Sequence, residues 1–98
     1  MKAIREREIE HYLHKQVTAA GGTTRKFKGR INDPDRIVIW PARGLCDNVP
    51  IHFIECKRPG GKARAGQLRE HRRLRAFGCL VLVLNTKKLI DTYVELHR

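Results

Sequence analysis

Long apolar runs are missing from this 98-residue sequence, as are paired cysteines, aromatic clusters and an abundance of acid. No stretch approaches the roughly 20 consecutive apolar residues of a membrane-spanning helix, and nothing at the N-terminus resembles a signal peptide. The three cysteines, Cys46, Cys56 and Cys79, are an odd set without paired spacing, which argues against a disulfide framework and for a reduced, cytoplasmic setting. The five histidines, His11, His14, His52, His71 and His97, make no closely spaced ligand pair with them, so a structural zinc site is not expected. Aromatic residues are 6% of the chain; with no second aromatic beside it, Trp40 reads as a sheet or subunit-contact residue rather than a base-stacking platform. His52 reads as a structural histidine. Acid is the scarcest class of charge: 10 Asp and Glu stand against 21 Lys and Arg, a formal net charge of +11. That imbalance predicts a polyanionic partner, because each phosphate neutralised releases counterions. No basic amphipathic helix with an aromatic anchor is present, which places nucleic acid ahead of a membrane surface.

The remaining composition, 41% hydrophobic and 32% charged, suits a folded globule, and residues 1–98 are read as one domain. Ile9, Leu13, Val17 and Ala20 form an apolar stripe that predicts a helix over Ile4 to Ala20, stopped by Gly21-Gly22. Thr23 to Lys28 reads as a short strand, Gly29 to Pro34 as a turn-rich connection, and Ile37 to Trp40 as a strand buried on both faces. Pro41 to Pro50 reads as a hairpin loop, too short for a crossover helix, so the strands flanking it should be antiparallel. A polar stretch, Arg58 to Gly66, precedes a helix starting near Ala65 whose apolar positions are Leu68, Leu74 and Phe77. Arg69, Arg72, Arg73 and Arg75 give this helix a positive face suited to phosphate contact. Gly78 ends it, Cys79 to Leu84 reads as a central strand parallel to its neighbour, and Asn85-Thr86 caps a last helix carrying Leu89, Ile90, Tyr93, Val94 and Leu96. The order αβββαβα implies an α/β fold, a mixed central sheet flanked by helices.

Within that frame Phe53-Ile54-Glu55-Cys56-Lys57 brings a carboxylate and an amine out on one strand face, two residues apart. Asp35 stands just ahead of the preceding strand. Two carboxylates and a lysine so placed could hold a divalent metal. Asp33 reads as a turn former. Glu6 and Glu10 lie one helical turn apart at the edge of the first helix's apolar stripe, where solvated flank charges are also common.

These residues resemble a known family. Pro34-Asp35, an apolar strand, Glu55-Cys56-Lys57 and then Gln67 in a helix are similar to the PD-(D/E)XK nuclease superfamily. The segments through Arg58-Pro59-Gly60-Gly61 and Gln67-Leu68-Arg69-Glu70-His71 resemble its compact virus-type replication-repair nuclease (VRR-NUC) domain, over nearly the whole chain. The resemblance implies a restriction-endonuclease-like fold and a metal-dependent DNA endonuclease of small phage type, acting in a bacterial or phage-infected host cell. Asp35, Glu55 and the Cys56 carbonyl would be metal ligands, joined by an N-terminal acid that maps best to Glu10, with Glu6 the alternative. Lys57 would orient or deprotonate the attacking water, and Gln67 would position the lysine or the water. The family more often has an aliphatic residue where Cys56 stands, but only its carbonyl is needed. The implied cofactor is Mg2+ or Mn2+, whose hard oxygen preference matches these ligands. The implied substrate is branched DNA such as Holliday junctions, cut by a homodimer and contacted by Lys62, Arg64, Arg69, Arg72 and Arg73. The rival reading is a basic nucleic-acid-binding module that keeps the fold without catalysis.

Overall fold

Ile9, Leu13 and Val17, spaced one helical turn apart, are fully buried along α1 (Glu6–Ala19). This computed structural model describes residues 3–42 and 51–98. The helix closes where Gly21 takes a φ of 98°, a left-handed conformation that costs glycine little. The Gly21 amide then bonds the Thr18 carbonyl and the Gly22 amide the Val17 carbonyl, a Schellman closure. Gly78, with a φ of 92°, ends α2 (Ala65–Ala76) by the same pair of bonds, to Arg75 and Leu74.

Four strands follow the expected order: β1 (Thr23–Lys26), β2 (Arg36–Ile39), β3 (Ile51–Cys56) and, after α2, β4 (Leu80–Leu84). They form one sheet, β1-β2-β3-β4, antiparallel between the first three and parallel between β3 and β4. The antiparallel β2–β3 pair is the arrangement a short connection demands; most of the proposed hairpin loop, residues 43–50, lies outside the described residues. The parallel pair is bridged by α2, and the chain ends in α3 (Lys87–His97). Thr86 caps α3 through its hydroxyl, which accepts from the Leu89 amide at 3.0 Å. Thr86→Ala is expected to cost about 1 kcal/mol, read as a lower melting temperature without loss of any site described below.

Alternation divides the sheet into two faces. Val38, Ile54, Cys56 and Leu84 meet Ile9, Leu13 and Val17 of α1 and Ile90, Tyr93 and Val94 of α3 in a single core. Trp40 belongs to it, donating from Nε1 to the Tyr93 hydroxyl at 3.0 Å, and His52 Nδ1 lies 2.7 Å from that hydroxyl. Both residues are buried and structural. The opposite face carries Ile37, Phe53 and Glu55, with Phe27 edge-on to Phe53 at 5.5 Å.

Two expectations need correction. β2 is not buried on both faces: Val38 is enclosed, while Ile37 and Ile39 are only half-buried, because α2 packs over β4 rather than over β2. Of the apolar positions on α2, Leu68 and Phe77 are 43% and 87% exposed, and the residues that the helix buries are Gln67 and His71. The sheet beneath the start of α2 presents a carboxylate, which apolar side chains would leave without a hydrogen-bond partner. β4 is an edge strand of the sheet, not the central one expected, and Arg75 is structural, its guanidinium bonding the Val81 carbonyl at 2.7 and 3.3 Å and tying α2 to that strand. No helix among the described residues is long and apolar enough to cross a membrane.

Candidate active site and metal centre

The β2–β3 register pairs Arg36 with Ile54, so Asp35, one residue earlier, falls opposite Glu55 on the same sheet face. Backbone and side chain are each held. The Asp35 carbonyl accepts from the Phe27 amide at 2.9 Å, and its side-chain Oδ1 accepts from the Cys56 amide at 3.2 Å. The loop before it is folded by Asp33, whose carboxylate accepts from the Arg30 amide at 2.7 Å while its own amide bonds the Arg30 carbonyl; Asp33 is a turn former here. The amide and carbonyl of one strand residue point to the same side, so the Cys56 carbonyl faces the edge where Asp35 sits, beyond the last β2–β3 pair.

A third carboxylate arrives from the first turn of α1. Ligand oxygens of Glu6, Asp35 and Glu55 all lie within 4.8 Å of one another. Glu10, the acid to which the resemblance mapped best, sits one turn further along and accepts from Arg36 Nε at 3.3 Å. Arg36 points to the α1 side of β2, where Glu10 meets it; of the two acids it is Glu6 that converges with Asp35 and Glu55.

Burial is the first reason that Asp35 is pushed up to about 6, and the negative charges of Glu10 and Glu6 add to it against the Cys56 amide bond. Glu55 is pushed up to about 7, first by burial and then by Asp35, with Lys57 pulling the other way. Two carboxylates pushed up in this way, with the Glu6 carboxylate within reach of both, are a donor set short of positive charge, and hard oxygen ligands of this kind fit Mg2+ or Mn2+. Because both acids hold protons more tightly folded than unfolded, the folded chain binds more protons between about pH 4 and 7, and metal-free stability contributed by these groups falls as pH rises through that window. A divalent cation should reverse the loss: Mn2+ at about 100 times its dissociation constant is expected to contribute about 2.7 kcal/mol at pH 8 and much less at pH 5, where protons compete for the ligands. Thermal melts at the two pH values check this.

Lys57 follows β3 on the face of Glu55, half-buried, its amide bonding the Leu84 carbonyl at 3.1 Å so that strand pairing runs through it. The chain then reverses in Arg58-Pro59-Gly60-Gly61. Proline at the second position, a φ of 79° at Gly60 and a 2.8 Å bond from the Gly61 amide to the Arg58 carbonyl make a type II turn. Asn85, at the end of β4, donates to the Gly61 carbonyl at 3.0 Å and anchors this exit.

From α2, Gln67 is buried, and its Oε1 accepts from the Arg64 amide at 2.8 Å, capping the helix beside the site. One turn on, His71 is fully buried with Nε2 3.4 Å from Glu55 Oε1. Burial, then Arg75 and Lys57, hold this imidazole below its ordinary range, so it is neutral. Apart from its place in the motif, His71 carried no expectation from the sequence; its spacing of four from Gln67 is the signal that was there to be used. Lys62, Arg64, Arg69, Arg72 and Arg73 are exposed, on the loop after the turn and the outer side of α2. Of these, Arg73 is engaged with Glu70 at 2.6 Å.

No family model matches the chain. A solved structure described as a VRR_NUC domain superposes with a TM-score of 0.79 at 35% identity, over 98% of this chain and 100% of that one. Among curated proteins, "Putative nuclease p44" of Acyrthosiphon pisum secondary endosymbiont phage 1 is 45% identical over 91 residues, 91% of each chain. A mixed four-stranded sheet, a shared length and this identity agree: the chain belongs to the virus-type replication-repair nuclease family of the PD-(D/E)XK superfamily.

Proposed function

We propose that the chain is a divalent-metal-dependent endonuclease that cuts branched DNA, such as Holliday junctions, in the cytoplasm of a bacterial or phage-infected cell. The observation that carries this reading is the convergence of Glu6, Asp35 and Glu55 beside Lys57 on a protein of net charge +11. Asp35, Glu55, the Cys56 carbonyl and Glu6 would hold Mg2+ or Mn2+. When bound, such an ion polarises a phosphoryl oxygen and lowers the pKa of a water. Lys57 orients the attacking water and neutralises charge on the phosphate, Gln67 fixes the start of α2 beside it, and Glu10 holds Arg36. Lys62, Arg64, Arg69, Arg72 and Arg73 take the DNA backbone, positioning it without reading sequence.

Preference for branches rests on the family resemblance and on size: so small a domain reaches one scissile phosphate, and paired cuts in a junction call for a twofold homodimer. A binding module without catalysis is the weaker reading, because three clustered acids repel the DNA that such a module would hold. The test is incubation with labelled duplex, flap and four-way-junction DNA in Mg2+, Mn2+ or EDTA. Cutting of the junction in either metal and none in EDTA is expected; no metal-dependent cutting of any substrate would sink the proposal. Light scattering that gives a strict monomer making paired cuts would remove the dimer.

A further inference from the structure

We propose that His71 is a positioning residue that sets the orientation of the Glu55 carboxylate for metal binding; this rests on the function proposed above. The imidazole is fully enclosed between α2 and the sheet, and its Nε2 faces Glu55 Oε1 at 3.4 Å. In the ionised form that would hold a cation, the Glu55 carboxylate only accepts, so Nε2 then carries the hydrogen and Nδ1 is left as a bare acceptor. Nδ1 is the one buried side-chain polar atom among the described residues without a hydrogen-bond partner. An orphaned acceptor costs free energy that an aliphatic side chain in the same place would not. Packing alone therefore favours leucine at this position, while α2 leaves Leu68 43% exposed. What histidine supplies and leucine does not is the Nε2–H.

That hydrogen acts on the longer of the two carboxylates carried by the sheet. Asp35 is short, and the Cys56 amide already holds it. Glu55 has a longer side chain, and among the hydrogen bonds of the described residues its only partner is His71. Engaging Oε1 fixes the plane of the carboxylate and leaves Oε2 for the ion, in the way that partners of metal-ligating groups commonly preset their ligands. Gln67 and His71 thus divide the inner side of α2: the first caps the helix, the second reaches the ligand.

The experiment compares full-length wild type with His71→Leu, His71→Gln and His71→Asn by calorimetric titration with Mn2+ alone, and by kcat and KM on the best DNA substrate. A glutamine amide occupies the place of Nε2, an asparagine amide that of Nδ1. Expected are a 10–100-fold weaker Mn2+ affinity for His71→Leu and His71→Asn, an affinity for His71→Gln within about threefold of wild type, and losses in kcat with KM for DNA unchanged. The Gln and Asn pair decides the matter if His71→Leu does not fold. Equal Mn2+ affinity in wild type and a folded His71→Leu, or equal loss in the Gln and Asn variants, would overturn the positioning role alone. A wild type that binds no Mn2+ would overturn the proposed function and this role with it.

Discussion

Asp35→Asn is expected to abolish metal-dependent cleavage while making the metal-free protein more stable. Removing one carboxylate from the proposed ligand set would forfeit several kcal/mol of charge stabilisation, a rate loss of about 10^3 or more. The effect on folding has the opposite sign. Asp35 ionises with difficulty because it is partly buried and lies near Glu10 and Glu6, so above pH 7 its charge works against the fold. Asparagine removes the charge and keeps an Oδ1 to accept from the Cys56 amide. Discounted for the partial exposure of Asp35, the gain is about 1 kcal/mol, or roughly 4–8 °C for a domain of this size. At pH 4.5, where the folded protein carries Asp35 protonated, most of the gap should close. A variant that still cuts with Mn2+, or that melts below wild type at pH 8, would show that Asp35 is not held in the acid cluster for metal.

Lys57→Ala is the second large effect, and it should leave binding intact. A group that orients or deprotonates water is worth about 10^2 to 10^4 in rate. One cation among 21 Lys and Arg residues contributes little to total DNA affinity, so the loss belongs in kcat rather than KM. Mn2+ affinity should not fall, because Lys57 competes with the ion for the charge of Glu55. Arginine distinguishes two roles for the lysine: it stabilises phosphate charge but does not give up a proton near neutral pH. Rescue by Lys57→Arg would assign Lys57 to electrostatics, no rescue to proton transfer. Cutting by the alanine variant at the wild-type rate would remove Lys57 from the site.

The half of the site built on the sheet was open to reading from residue order. A connection too short to hold a helix makes β2 and β3 antiparallel, and that topology alone sets Asp35 opposite Glu55. Two features escaped for the same reason: local pattern does not report what lies across the gap. On α1, Glu6 and Glu10 are equivalent by periodicity, and the choice turns on Arg36, which is 26 residues from Glu10 in sequence and 3.3 Å from it in space. On α2, the apolar positions Leu68 and Phe77 do not mark the buried face: the helix lies over a carboxylate, and the buried residues are Gln67 and His71. Helical amphipathicity assumes an apolar partner surface; where a polar site is the partner, the rule selects the wrong face.

The cap of α1 has a consequence for how the site assembles. Arg5 precedes the helix and offers no side-chain bond to it; Glu8 alone reaches back, to the Arg5 amide at 3.4 Å. Helix ends so thinly tied fray, and Glu6 rides on that first turn. Asp35 and Glu55 are held by strand pairing, whereas Glu6 is held only through that first turn. In the proposed centre two acids would stand on paired strands and the third on a helix end tied by few bonds, so the place of Glu6 would depend on the N-terminal turn as that of Asp35 and Glu55 depends on the sheet.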